Sequence, residues 1–285
     1  MKLGVSSYSL YQAMNKGEMT ITDVIDYIAE IGGEHIEIVP LGFNLKENPE
    51  LIDTIKSHAA AKGLELSNYA IGANFAELDD AAYEAEIERV KSEVDIAAAL
   101  GVKRMRHDVA TSKDLSLVHF IEELPRLANA CRIIADYAAE RGIITSVENH
   151  GYFIQHSDRV KALVQTVNHP NFKTTLDVGN FMCADEESTV AVKNNIGLAS
   201  MVHFKDFYYR PASRPPGGGW FNTSSGNWLR GAIVGQGDIK IPEVIRIVKE
   251  SGYDGYISIE FEGMEDCRTG TKLGLEYVRK VWNES

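Results

Sequence analysis

Residues 21–39 read ITDVIDYIAEIGGEHIEIV and combine an amphipathic segment, a double glycine and a short β-rich run. The apolar residues that share one face of a 3.6-residue period are Ile21, Val24, Ile25, Ile28 and Ile31. Thr20 before them is a preferred N-cap residue, and Gly32-Gly33 suits the left-handed end of a helix. The run 35–39 has the length and side chains of a strand. This stretch therefore predicts a helix followed by a strand.

The same order recurs along the whole chain. Gly63, Gly101, Gly142 and Gly252 each follow an amphipathic segment and precede a β-rich run. The predicted strands are residues 3–10, 35–39, 64–71, 104–109, 143–149, 173–178, 201–207 and 256–261. About eight strand–helix units is the number that closes a parallel (β/α)8 barrel. We therefore predict α/β architecture, with one TIM-barrel domain over residues 1–285.

An open, doubly wound sheet is the alternative to the barrel. Such a sheet normally carries a glycine-rich phosphate loop after its first strand, and residues 11–17, YQAMNKG, contain no such fingerprint. The length of 285 residues would also allow two domains, but no Pro/Ser-rich linker divides the chain. The barrel is therefore favoured.

Composition narrows the class of protein. With 44% hydrophobic residues the chain is too apolar for intrinsic disorder, and a formal net charge of −12 disfavours nucleic acid and anionic membranes as partners. Three widely spaced cysteines suit reduced thiols, and neither a signal peptide nor a membrane span is recognisable. We expect a cytoplasmic protein that forms a homo-oligomer, a dimer or a tetramer.

One connection is much longer than an ordinary βα loop. Residues 208–238, after the seventh predicted strand, are rich in Pro, Gly and aromatic residues, including Trp220, Phe221 and Trp228. In a barrel this loop rises from the C-terminal face, where active sites are built. Large aromatic residues are unusual in a solvated linker, so we predict a lid over a pocket.

The ends of the last four barrel strands carry a distinctive set of polar residues. They are Glu148, Asp177, His203 and Glu260. In a barrel these ends converge, and desolvated carboxylates would repel one another unless a cation lay between them. Each alone is compatible with a strand-end acid that caps the next helix, but together they predict one divalent metal site. Oxygen-rich ligands favour Mn²⁺, with Mg²⁺, Co²⁺ or Zn²⁺ as alternatives.

The chain resembles the sugar phosphate isomerase/epimerase superfamily, whose xylose-isomerase-like barrels include D-tagatose 3-epimerase and inosose-processing enzymes. The resemblance is carried by residues 147–151, VENHG, residues 176–180, LDVGN, residues 202–206, VHFKD, residues 252–256, GYDGY, and residues 258–263, SIEFEG. It implies the same metal ligands. It also implies that Glu148 and Glu260 are the catalytic pair that transfers protons.

Further polar residues at the strand ends and in the long loop are predicted to bind substrate. They are His150, Asn180, Lys205, Arg230, His107, Glu37 and Trp220. Turn or loop roles are equally compatible with His150 and Asn180, and Arg106 is as compatible with a surface ion pair as with the pocket. Tyr8 is expected to pack.

These residues predict a divalent-metal-dependent isomerase or epimerase of a keto-sugar or cyclitol. A cation on the carbonyl and the adjacent hydroxyl would stabilise an enediolate, and two glutamates would serve as acid and base. A lyase or dehydratase acting on an inosose or a 3-keto-glycoside is the alternative, because elimination can follow the same proton abstraction. A DNA-repair endonuclease is disfavoured by Asn180 and by the acidic charge. A non-catalytic sugar-binding protein would not need the ligand quartet.

Overall fold

Eight parallel strands form the closed barrel of the computed structural model, which describes residues 1–285. The strands are β1 Lys2–Ser6, β2 His35–Ile38, β3 Glu65–Ile71, β4 Arg104–His107, β5 Ile144–Glu148, β6 Phe172–Asp177, β7 Ala199–Phe204 and β11 Tyr256–Ile259. Around the barrel the order is β1, β11, β7, β6, β5, β4, β3 and β2. The predicted (β/α)8 TIM barrel is confirmed.

Helices alternate with the strands. They are α1 Tyr11–Asn15, α2 Ile21–Glu30, α3 Glu50–Ala61, α4 Asp80–Leu100, α5 Leu117–Ala139, α6 Ser157–Val167, α7 Ser188–Asn195, α8 Ile241–Glu250 and α9 Cys267–Glu284. The predicted cap at Thr20 is present, because its side chain accepts a hydrogen bond from the Asp23 amide while the Asp23 carboxylate accepts from the Thr20 amide. None of these helices is both long and apolar enough to cross a membrane.

The core lies between the strands and the helices. It is a single large cluster of buried aliphatic and aromatic side chains to which nearly every helix and barrel strand contributes. Burying such side chains contributes about 1.5–3 kcal/mol each. The inside of the barrel is different, because His35 bonds to Ser67 and to the carbonyl of Ile257 across the barrel floor. Further polar side chains lie between that floor and the C-terminal face of the barrel.

The segment predicted as a long loop is largely ordered as sheet. β8 Asp206–Arg210, β9 Phe221–Asn222 and β10 Trp228–Ala232 form an antiparallel sheet in the order β8, β10, β9. Phe207 and Leu229 pack with Cys183, which follows β6, in a small apolar cluster of their own. Strand β7 ends three residues earlier than predicted because the chain turns at Lys205 into β8. This sheet therefore covers the side of the C-terminal face next to β6.

Candidate metal centre

Four strand ends bring one imidazole and three carboxylates together. Glu148 and Asp177 are the last residues of β5 and β6, His203 is next to last in β7, and Glu260 directly follows β11. The parallel register pairs Asp177 with His203, so their side chains project from neighbouring strands at the same level. One ligand atom from each of the four lies within 4.8 Å of the others, and all four residues are buried.

Asp177 is held in place by main-chain contacts. Its Oδ1 accepts hydrogen bonds from the amides of Gly179 at 2.8 Å and Asn180 at 2.7 Å. The Asn149 side chain accepts from the Asp177 amide and donates to the Asp177 carbonyl, which ties the end of β5 to the end of β6. Oδ2 of Asp177 has no hydrogen-bond partner. One carboxylate oxygen is therefore fixed and the other is free to bind a ligand.

The His203 ring presents its two nitrogens to different partners. Nε2 lies 2.7 Å from Oε2 of Glu37 on β2. Nδ1 is buried without a hydrogen-bond partner and lies 3.7 to 4.0 Å from one oxygen each of Glu260, Glu148 and Asp177. These separations leave room between the atoms for a cation about 2.0–2.3 Å from each of them. An imidazole held by a carboxylate is also the usual arrangement behind a metal ligand.

The donor set fits one divalent cation. Oδ2 of Asp177 and Nδ1 of His203 are both buried and lack hydrogen bonds, although isolated buried polar atoms are costly. Burial raises the pKa of Asp177, and Glu260 and Glu148 add to this effect so that the pKa reaches about 7. A cation among these groups would remove both penalties. The four residues therefore form a possible metal-binding site.

Glu148 is paired on its second oxygen with Arg106 of β4. Nε of Arg106 lies 2.6 Å from Oε2 of Glu148, and Nη2 also contacts Asp108 at 3.2 Å. Burial raises the pKa of Glu148, but Arg106 and His203 together outweigh burial and lower the pKa to about 2. Asn180 donates to Oε1 of Glu148 at 3.0 Å. Glu148 is thus held in a fixed orientation, and its carboxylate is ionised at neutral pH.

Lys205 places an ammonium group beside Glu260. Its Nζ lies 2.8 Å from Oε2 of Glu260, 3.3 Å from Oε2 of Glu262 and 3.6 Å from Oδ2 of Asp177. Burial lowers the pKa of Lys205, yet the surrounding carboxylates raise it well above its ordinary value. Burial raises the pKa of Glu260, and Lys205 with His203 brings it well below the usual range. The site therefore holds a charged lysine next to a charged glutamate.

A cavity of about 480 Å³ opens above these residues. Glu148, Glu260 and Lys205 line it together with the predicted substrate-binding residues His150 and Glu37. The apolar part of its wall comes mainly from the segment that follows β2. This volume lies within the usual range for small-molecule sites, roughly 300–1,000 Å³.

Two predicted substrate-binding residues, His107 and Asn180, do not line the cavity. His107 faces outward, where its ring packs near those of Phe75 and Phe172. Its assignment to the site is wrong, because side chains alternate along a strand and Arg106 already faces inward. Asn180 lies beneath the cavity lining and bridges Glu148 to Lys205.

The two predicted substrate contacts from the long connection also lie outside the cavity. The Arg230 guanidinium lies 5.4 Å from the centre of the Trp220 ring and 4.8 Å from that of Tyr208. No residue of the segment 208–238 lines the cavity. Arg230 and Trp220 therefore stack on the small sheet instead of reaching the metal centre.

Sequence reasoning missed the role of Tyr8, which was expected to pack. Tyr8 lines the cavity, with its hydroxyl 3.4 Å from Glu262 and its ring 5.9 Å from the Lys205 ammonium. Its position two residues beyond β1, at the C-terminal face, was the available signal. Asp108 was missed as well, and it bridges Arg106 and His150 at the cavity wall.

Comparison with known proteins agrees with this geometry. A family model described as xylose isomerase-like TIM barrel matches residues 25–281. The inosose dehydratase of Clostridium perfringens is 20% identical over 148 residues, which are 50% of this chain and 48% of that protein. The chain spans less than half the length of the curated relatives it matches.

Solved structures share the whole architecture. AsbF of Bacillus anthracis, named a probable 3-DHS dehydratase, superposes with a TM-score of 0.76 at 19% identity over 98% of this chain and 99% of that one. D-psicose 3-epimerase of Clostridium cellulolyticum H10 gives 0.75 at 16% identity over 99% of both chains. The IOLI protein, solved with a bound zinc atom, gives 0.75 at 18% identity over 100% of this chain and 97% of that one. At these identities the likeness shows the fold.

Proposed function

The chain belongs to the xylose isomerase-like TIM-barrel family, and from this we propose that it is a divalent-metal-dependent enzyme that isomerises or epimerises a keto-sugar or cyclitol. The observation that carries the proposal is the unpartnered Nδ1 of His203, which faces oxygens of Glu148, Asp177 and Glu260 at 3.7 to 4.0 Å. These four residues would hold the cation. Mn²⁺ is our first choice, because three carboxylates and one imidazole make a hard, oxygen-rich set.

The bound cation would polarise a carbonyl and stabilise negative charge on the substrate oxygens. The chain itself supplies the proton-transfer groups. Glu148 and Glu260 both line the cavity. Glu148 directs Oε1 toward His203 and Oε2 toward Arg106, whereas Oε2 of Glu260 faces both His203 and Lys205. A carboxylate at the α-carbon can remove its proton, and a second carboxylate can return a proton to another face or to the neighbouring carbon.

Polar residues around the pair would orient the substrate. His150 and Lys205 line the cavity and carry donors for sugar hydroxyls. Asp108 lies 3.3 Å from Nδ1 of His150 and raises the pKa of this imidazole, although burial lowers it. Relatives named as an epimerase and as dehydratases support chemistry that begins by removing a proton next to a carbonyl.

Dehydration is the second candidate, and the ammonium group of Lys205 beside Glu260 favours it. Lys205 supplies an ammonium 2.8 Å from Glu260, so a donor for a departing hydroxyl stands beside a base. An elimination needs such an acid and one base, whereas epimerisation needs two.

Solvent deuterium incorporation tests the proposal. The protein, loaded with Mn²⁺, is incubated in deuterium oxide with a panel of keto-sugars and inososes, and products are analysed by mass spectrometry. We expect deuterium at the α-carbon, and its loss in Glu260→Gln. A product with the same elemental composition as the substrate, apart from deuterium, would indicate isomerisation or epimerisation. A product that has lost one water would indicate a dehydratase. No exchange with any hydroxyketone, in protein shown to bind the metal, would refute the proposal.

A further inference from the structure

An apolar wall stands beside the polar metal centre. Val39, Pro40, Leu41 and Phe43 follow β2 closely, line the cavity and are each only partly buried. The first three are consecutive, and a run of partly exposed apolar residues at the mouth of a functional cavity marks a surface that a ligand covers. We call residues 39–43 the apolar wall.

The apolar wall is held in a fixed shape. Ser7 accepts a hydrogen bond from the Val39 amide at 2.8 Å, and the Leu41 amide donates to the Val39 carbonyl at 2.8 Å. On the far side, Oδ1 of Asn44 accepts from the Lys46 amide, and the fully buried Leu45 anchors the segment to the core. A surface that is ordered before binding loses little conformational entropy when a ligand docks.

The charges around the cavity disfavour an anionic substituent. Arg89 is paired with Glu86, Arg106 with Glu148, and Lys205 with Glu260. Among the cations that line the cavity, only the exposed Lys46 has no ion pair. A phosphate group would therefore find no buried free cation to neutralise it.

The glycine-rich run near β10 provides no phosphate site either. The amides of Gly235 and Gly237 donate to Oδ2 of Asp206 at 2.9 and 3.0 Å. Donors that are already satisfied by a buried carboxylate are not available to an anion. The cavity therefore offers no site for a phosphate substituent.

We propose that the substrate carries an aromatic or branched aliphatic substituent beyond its hydroxyketone, and that this substituent docks on the apolar wall. The inference rests on the proposed function for the polar half of the site. The cavity of about 480 Å³ is in the range of drug-sized ligands, which is more than a bare triose or tetrose needs. Tyr8 lies between the halves, since it lines the cavity and contacts Glu262.

A matched pair of probes tests the apolar wall. 1-Hydroxy-4-phenylbutan-2-one and 1-hydroxybutan-2-one share the hydroxyketone and differ by the phenyl group. Their dissociation constants are measured by calorimetry with the Mn²⁺-loaded protein. We expect the phenyl compound to bind about 10-fold more tightly, because burying an aromatic ring is worth that much or more. Equal affinities would overturn the proposal.

Substitutions in the apolar wall test whether the preference for the phenyl compound arises there. Phe43→Ser and Leu41→Ser should reduce the phenyl preference to about 3-fold or less while the affinity for the short probe stays unchanged. Leu273→Ser, at an exposed apolar residue of α9, is the matched control and should keep the full preference. A preference that persists in Phe43→Ser and Leu41→Ser, or affinities for both probes that fall together, would refute docking on the wall.

The experiments distinguish a failure of the proposed reaction from a failure of the proposed apolar subsite. Deuterium exchange without a phenyl preference would leave the proposed function intact and remove the apolar subsite. A phenyl preference that depends on Phe43, without any deuterium exchange, would keep the subsite as a binding property and remove the proposed reaction.

Discussion

Oε2 of Glu37 lies 2.7 Å from Nε2 of His203, while Nδ1 of the same ring faces the three carboxylates. Both side chains are fully buried, so this contact is shielded from solvent. The hydrogen bond assigns the proton to Nε2 and leaves the Nδ1 lone pair for a cation. Glu37, predicted from the sequence to bind substrate, thereby orients the His203 ring.

Replacing Glu37 should weaken metal binding. Glu37→Ala removes the acceptor that fixes the imidazole, and we expect the dissociation constant for Mn²⁺ to rise about 10- to 100-fold by calorimetry. Glu37→Gln keeps a carbonyl acceptor and should lose less. Glu84→Gln, on the exposed surface of α4, serves as the control. An unchanged constant in Glu37→Ala would mean that the carboxylate does not orient His203.

Arg106 should make metal binding less sensitive to pH in mild acid. Burial raises the pKa of Glu148, but Arg106 together with His203 lowers it to about 2, so this carboxylate stays ionised. In Arg106→Met burial and the Glu260 carboxylate raise this pKa, and only His203 opposes them. We expect Mn²⁺ affinity of the variant to fall as pH decreases from about 8 to about 5, at least 10-fold more than in the wild type. Parallel pH profiles would contradict this expectation.

Asp177 should destabilise the metal-free protein. Burial, with Glu260 and Glu148, raises its pKa from 3.8 to about 7. The folded state then binds more protons than the unfolded state between these values, so the free energy of unfolding falls as pH rises through this window. Asp177→Asn should remove this fall and add about 1–2 kcal/mol above about pH 7 in urea unfolding.

The same variant should separate stability from metal binding. Mn²⁺ should raise the melting temperature of the wild type, because a ligand that binds the folded state stabilises it. Asp177→Asn keeps the Oδ1 acceptor for Gly179 and Asn180 but lacks a charged ligand atom, so its response to Mn²⁺ should largely disappear. Equal Mn²⁺-induced shifts in both proteins would rule out Asp177 as a ligand.

Asp206 should anchor the end of the long connection that follows β7. Its two oxygens accept hydrogen bonds from the amides of Gly235, Gly237 and Ile239. Asp206→Asn places an amide donor against these donors, and we expect a loss of about 2–3 kcal/mol in the free energy of unfolding. Asp238→Asn, at a half-exposed residue, should cost less than about 1 kcal/mol. Similar losses in both variants would contradict an anchoring role.

The barrel and its ligand quartet follow from local patterns. Amphipathic segments that end at glycines and precede short β-rich runs specify repeated strand–helix units, whatever lies far away in the chain. Parallel strands also bring their carboxyl ends to one face, so Glu148, Asp177, His203 and Glu260 could be grouped before any coordinates were known. The grouping is possible because all eight barrel strands run in the same direction, so residues at their carboxyl ends lie at the same face.

Only the tertiary structure decided which neighbours these residues have. Arg106 faces Glu148 while His107 packs outward, because the register around the barrel selects one of two adjacent side chains. The tertiary structure also placed Phe43 beside the metal centre and Trp220 away from it. Loop paths depend on contacts between segments distant in sequence, such as Ser7 with Val39. The sequence thus determined the barrel and its ligands, and packing between distant segments determined the shape of the cavity.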